Sequence, residues 1–80
     1  MRLDKYLKIS RLIKRRTVAN EACDAERVRV NGRAARASYE VKIGDEIEIK
    51  LGNNPLAVRV LKITEHAGKD GAQELYELLK

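Results

Sequence analysis

Leu3 and Leu7 stand four apart, with Tyr6 beside them, which is the spacing of one face of a short helix over residues 3–9. Asp4 falls in the first turn, where a carboxylate favours the helix dipole. Lys5 and Lys8, three apart, share another face. Residues 10–16 read as a basic connector whose only apolar anchors are Leu12 and Ile13. Thr17 is a suitable N-cap for a second helix. Val18, Ala19, Ala22 and Cys23 supply its apolar stripe through the pairs 18/22 and 19/23. The small Ala and Cys side chains let this helix approach its neighbours closely, and Cys23 reads as a small buried hydrophobe.

From Arg27 the period changes to two. Val28 and Val30 alternate with Arg27 and Arg29, and Asn31-Gly32 follows, a strong hairpin signal because both residues tolerate positive φ. The return strand over residues 34–37 is weak. Gly44-Asp45 marks a further turn, with Asp45 as turn-former. Ile47, Ile49 and Leu51 then alternate with Glu46, Glu48 and Lys50, the pattern of a half-buried strand. After the loop Gly52-Asn53-Asn54-Pro55 comes a last strand over 57–63. Val58, Val60, Leu61 and Ile63 break its strict alternation, which implies either a bulge or burial on both faces. Residues 66–71 read as a polar linker. Asp70 and Gln73 have capping-box spacing, and Ala72, Leu75, Leu78 and Leu79 predict a helix to about residue 79. Docking on the sheet is expected of that helix, since one so short is marginal alone; a partner protein is the other place for it.

The predicted fold class is therefore α+β: two N-terminal helices packed on a short antiparallel or mixed sheet, plus a C-terminal helix. The expected organisation is one domain over 1–65, then a linker and amphipathic helix over 66–80. With 80 residues, one modest core is the limit, with no room for an enclosed catalytic cleft as well. Cys23 is the only cysteine, which excludes an intrachain disulfide and a cysteine-based zinc site and fits a reducing cytoplasm. No signal peptide and no membrane-length apolar run is visible.

Charge sharpens the picture. The net charge is +5, but residues 1–16 carry seven cations against Asp4 alone, a net +6, while residues 37–80 sum to −2. Such asymmetry points to a polyanionic partner. An enzyme reading lacks parts: there is no phosphate-binding glycine loop, and His66, the sole histidine, lies in the linker as an exposed imidazole rather than a general base or metal ligand. Asp45 and Glu46 point to opposite faces of a strand and do not form a carboxylate pair. No enzyme activity, cofactor or metal is expected.

Arg2, Lys5, Lys8, Arg11, Lys14, Arg15, Arg16 and Thr17 are the candidate RNA contacts, with Arg36 and Lys42 extending the surface from the sheet edge. Arginine adds bidentate bonding to phosphate that lysine does not match. A phosphate at the start of the second helix would meet Arg15, Arg16 and the free N–H groups of its first turn. Tyr39 is weak evidence for base stacking, so backbone and shape recognition of folded RNA is the better fit.

Four motifs now stand in order over residues 2–51: Arg2-Leu3-Asp4-Lys5-Tyr6-Leu7, Arg16-Thr17-Val18-Ala19, Val28-Arg29-Val30-Asn31-Gly32 and Val41-Lys42-Ile43-Gly44-Asp45-Glu46-Ile47. Together they resemble the αL-type RNA-binding domain named after ribosomal protein S-four. One departure is Ala25-Glu26 before the first strand, where that family often has glycine. The resemblance implies binding of structured RNA through the two-helix face, with Arg2 and Arg16 foremost and Lys5, Arg11, Lys14 and Arg15 around them.

The whole chain is similar to short stand-alone members that act in ribosome-associated quality control. That likeness implies a monomer bound to rRNA and peptidyl-tRNA on obstructed large ribosomal subunits. Such a factor holds the tRNA in the P-site while a tRNA-recruiting partner protein extends the stalled chain with alanine. The alternatives are an adaptor using the C-terminal helix, a general structured-RNA binder or large-subunit recycling factor, and a duplex DNA binder. The last is disfavoured because the connector is longer than a helix-turn-helix allows.

Overall fold

The helical and strand periodicities meet in one core. In the computed structural model, Leu3, Tyr6 and Leu7 pack with Ala19, Ala22 and Cys23 against Val28, Val30, Ile47, Ile49, Val58 and Val60. The structure describes residues 1–50, 52–53, 55–65 and 71–79. Helix α1 is Leu3–Ile9 and α2 is Arg16–Asp24; strands β1 Val28–Val30, β2 Arg33–Ala34, β3 Glu46–Ile49, β4 Leu56–Val60 and β5 Tyr76–Leu79 follow. Every pairing is antiparallel, in the order β2-β1-β3-β4-β5. Among the described residues no helix is long and apolar enough to cross a membrane.

Turn chemistry acts as the local sequence predicts. Asn31 and Gly32 both take positive φ, 53° and 85°, and close the β1–β2 hairpin. Asn31 also ties that tip to β3, accepting from the Glu46 N–H at 3.0 Å and donating from Nδ2 to Asp45 at 3.1 Å. Gly44, at φ 95°, swings the chain into β3. Asp45 is buried beside it, accepting from the Lys42 N–H and the Tyr39 hydroxyl, each at 2.9 Å. Glu26 takes the left-handed conformation (φ 59°) in the turn where the resembling family favours glycine, so the turn survives the departure.

Several expectations are corrected. The C-terminal helix is replaced by a 3-10 turn, Ala72–Leu75, and strand β5. The apolar spacing is ambiguous over so few residues, and the free edge of β4 decides it. Pairing there satisfies backbone groups that an isolated short helix would struggle to hold together, and Arg59 on β4 meets Glu77 across the ladder at 2.7 Å. The irregular alternation after Val60 has a simpler cause than a bulge: β4 ends there, and the Leu61 N–H turns to the Leu75 carbonyl at 2.8 Å. Thr17 is not the cap of α2; Arg15 is, without a side-chain bond. Val18 lies outside the buried stripe and is exposed. The return strand is only Arg33–Ala34. His66, Asp70, Leu51 and most of the expected linker lie outside the described residues.

Candidate nucleic-acid interface

Helix α1 begins without a side-chain cap from Arg2, yet its first amides are all engaged. The Leu3 N–H donates to the Tyr39 carbonyl at 2.8 Å, Asp4 to Ala37 at 3.1 Å, and Lys5 to the Asp4 carboxylate at 2.8 Å. Thus α1 brings side chains to the surface but keeps no amides for a phosphate. The same bonds pin residues 37–39 against the start of α1, and the Val41 N–H donates to the Met1 carbonyl at 2.9 Å. Arg36 and Lys42 flank this pinned stretch, and both are exposed.

Asp4 organises the centre. Its carboxylate is almost fully buried, with 3% side-chain exposure. Arg2 grips both oxygens, Nε to Oδ1 at 3.1 Å and Nη2 to Oδ2 at 3.2 Å. Arg16 approaches from α2 at 3.4 Å, and Asn20, one turn further along, donates at 3.4 Å. Arg2 and Arg16 nevertheless stay 49% and 47% exposed, so the shared carboxylate orients them without withdrawing them from solvent. Together with Thr17, Asn20 and Glu21, Asp4 and Arg16 line a concavity of about 380 Å³.

The remaining cations sort by position. Lys8, one helical turn after Asp4, lies on the same side of α1 and is exposed. Lys5 is drawn to the other side, where it pairs with Glu65. Arg11, at φ 62°, turns the chain out of α1, and Arg11, Lys14, Arg15, Arg16 and Thr17 are all exposed. Asn20 was not singled out from the sequence. Its signal was a lone carboxamide four residues after Arg16, and so on the same face of α2 as that cation.

The start of α2 has the wrong charges for stability alone. No acidic residue lies in its first turn, and Arg15 and Arg16 stand at the positive end of the dipole. Each such cation costs roughly 0.3–1 kcal/mol where an acid would help. An incoming phosphate reverses the sign of that interaction. Arg15 already has cap-like dihedrals, φ −120° and ψ 135°. Arg15→Asp should therefore stabilise the fold by about 0.5–2 kcal/mol while weakening RNA binding; a thermal melt and a binding titration on the same variant read the two signs.

Two buried carboxylates set the acid response. Burial raises the pKa of Asp4, but hydrogen bonds from Arg2, Asn20, Arg16 and the Lys5 N–H outweigh it and hold the carboxyl below its usual value. Asp45 behaves likewise: burial raises it, while the Lys42 N–H, Tyr39 and Asn31 bonds and the Lys42 charge bring it down. Both groups therefore contribute stability that is complete above the ordinary carboxylate pKa of 3.8 and is lost as pH falls below it toward their lower folded values. Urea melts should be flat in midpoint from pH 7 to about 5 on this account, and Asp45→Asn should flatten the decline below about pH 4. Cys23 fits its expected part as a packing residue: burial, then the Asp4 and Asp24 charges, push its thiol up to about 11.

Comparisons with known proteins identify the family. The family model for the S4 domain matches residues 1–47. The RQC P-site tRNA stabilizing factor of Streptococcus pneumoniae is 49% identical over 79 residues, 99% of this chain and 90% of that protein. Its Bacillus subtilis namesake is 46% identical over 80 residues, 100% of this chain and 93% of that protein. Among solved structures, the trimeric structure of Vibrio cholerae Heat Shock Protein 15 superposes with a TM-score of 0.92 at 32% identity, covering 99% of this chain and 81% of that one. The chain therefore belongs to the S4 domain family, alongside the RQC P-site tRNA stabilizing factors.

Proposed function

We propose that this chain is a non-catalytic rRNA- and tRNA-binding factor. It associates with obstructed large ribosomal subunits and stabilises peptidyl-tRNA in the P-site while stalled chains receive alanine tails. The observation that carries this reading is near full-length similarity to proteins named for stabilising P-site tRNA. Its physical support is the Arg2–Asp4–Arg16 cluster beside the uncapped start of α2.

The proposed contact set is Arg2 and Arg16 at the centre. Lys8, Arg11, Lys14, Arg15 and Thr17 lie around them, and Arg36 and Lys42 stand on the neighbouring segment. Lys5 is a lesser contact, because RNA must compete with Glu65 for it. The factor works as a monomer in the cytoplasm beside a tRNA-recruiting protein. The adaptor alternative loses the amphipathic C-terminal helix on which it rested, since Tyr76–Leu79 is a strand of the sheet.

Gradient sedimentation of cell extract tests the proposal. The chain should travel with free large subunits carrying peptidyl-tRNA, and Arg16→Ala should move it to the top of the gradient. Wild-type protein remaining at the top would refute the reading.

A further inference from the structure

A second concavity, of about 690 Å³, lies along the β1–β2 hairpin and the segment that follows it. Its volume falls within the range of small-ligand sites. Arg33, Arg36, Asn31, Ser38 and Tyr39 border it, over a small apolar floor of Val30, Ala34 and Ala35. Neither Arg33 nor Arg36 has an ion-pair partner among the described residues. Arg36, with Ala34 and Ala35, also borders a smaller cleft of about 330 Å³ that Cys23, Asp24 and Glu26 line.

Tyr39 is the aromatic element. Its hydroxyl donates to Asp45 at 2.9 Å, and Asp45 is held in turn by Asn31 and the Lys42 N–H. The phenol is therefore fixed before any ligand arrives, and little ordering cost remains for a ring stacked on it. Asp4 and Leu3 bond to the backbone of the same 37–39 segment, so this pocket and the Arg2 guanidinium sit on one braced unit.

Resting on the RNA-binding reading above, we infer that this pocket accepts a single unstacked nucleotide of the bound RNA: Tyr39 stacks on its base, and Arg33 and Arg36 engage its phosphates. The chemistry favours a nucleotide over an acidic peptide. A fixed ring beside small alanine side chains suits a planar base, and two guanidiniums suit phosphate oxygens. The sequence left Arg33 out of the candidate contacts and gave Tyr39 little weight, because nothing in the chain order brings them to one cavity.

The test uses two RNA stems, one fully paired and one with a single bulged 2-aminopurine, titrated with the whole chain. Wild type should bind the bulged stem about tenfold more tightly, the weight of one stacked base, and quench its fluorescence. Arg33→Ala and Tyr39→Leu should each bring the ratio of the two affinities close to one. Arg16→Ala should weaken both stems together. Circular dichroism verifies that Tyr39→Leu is folded, and Arg33→Ala carries the test if it is not. Equal wild-type binding of the two stems, or a preference that survives Arg33→Ala, overturns the pocket while leaving the RNA reading intact. No binding of either stem overturns both. A tetraglutamate peptide that abolishes the preference would assign the pocket to acidic protein segments and overturn the nucleotide.

Discussion

Raising salt from 50 to 200 mM should weaken RNA binding by about two to four orders of magnitude. Each phosphate neutralised by a lysine or arginine releases condensed counterions, so the logarithm of affinity falls linearly with the logarithm of salt, by up to about 0.9 per contact. Roughly four to seven contacts are expected, which gives a slope of about −4 to −6. The structure orders the contributors. Lys8, Arg11, Lys14 and Arg15 have no ion-pair partner among the described residues, whereas Lys5 has Glu65, and Arg2 and Arg16 share Asp4. Arg15→Ala should therefore reduce the slope by nearly one unit, and Lys5→Ala by less. Arg16→Ala should cost about 1–3 kcal/mol, the usual worth of a charge-assisted contact. Filter binding over a salt series measures all three variants, and an affinity flat in salt would remove the electrostatic basis of the interface.

Tyr6→Ala should remove a large share of the stability of the fold. Tyr6 is fully buried, and its hydroxyl donates to the Leu75 carbonyl at 2.6 Å, joining the first helix to the last segment of the chain. Truncating a buried aromatic costs about 3–5 kcal/mol, against a total of roughly 4–12 kcal/mol for a domain of this size. Tyr6→Phe isolates the hydrogen bond. It should cost only about 0.5–1.5 kcal/mol, because the Leu75 carbonyl keeps the Leu61 N–H as a donor. Burial, with a smaller push from Tyr76, drives the Tyr6 pKa far above its ordinary value, so its hydroxyl stays protonated throughout the accessible pH range. Urea melts of the two variants separate packing from bonding. A Tyr6→Ala melt like that of wild type would rule out a core centred on Tyr6. Arg16→Ala should lower the melt far less than Tyr6→Ala, because Arg2, Asn20 and the Lys5 N–H still bond to Asp4, and this contrast distinguishes the interface from the core.

Much of this protein was legible in residue order. The 3.6 and 2.0 periodicities located α1, α2, β1 and β3 because each signals a face that must be buried. Asn31-Gly32 and Gly44-Asp45 marked their turns because few residues tolerate those dihedrals. The concentration of cations in the first sixteen residues marked the candidate interface, since charge needs no fold to be counted. Tertiary structure alone decided the rest. Residues 76–79 pair with β4 because its open edge offers hydrogen bonds that a solitary helix lacks. Asp4, read locally as a dipole partner, became the buried anchor of two arginines and Asn20, since only packing α1 on α2 brings residues 2, 16 and 20 to one carboxylate. Chain order records which charges exist. Which of them share an ion, which stay open to a phosphate, and which line a common pocket depends on distances that appear only when the segments pack.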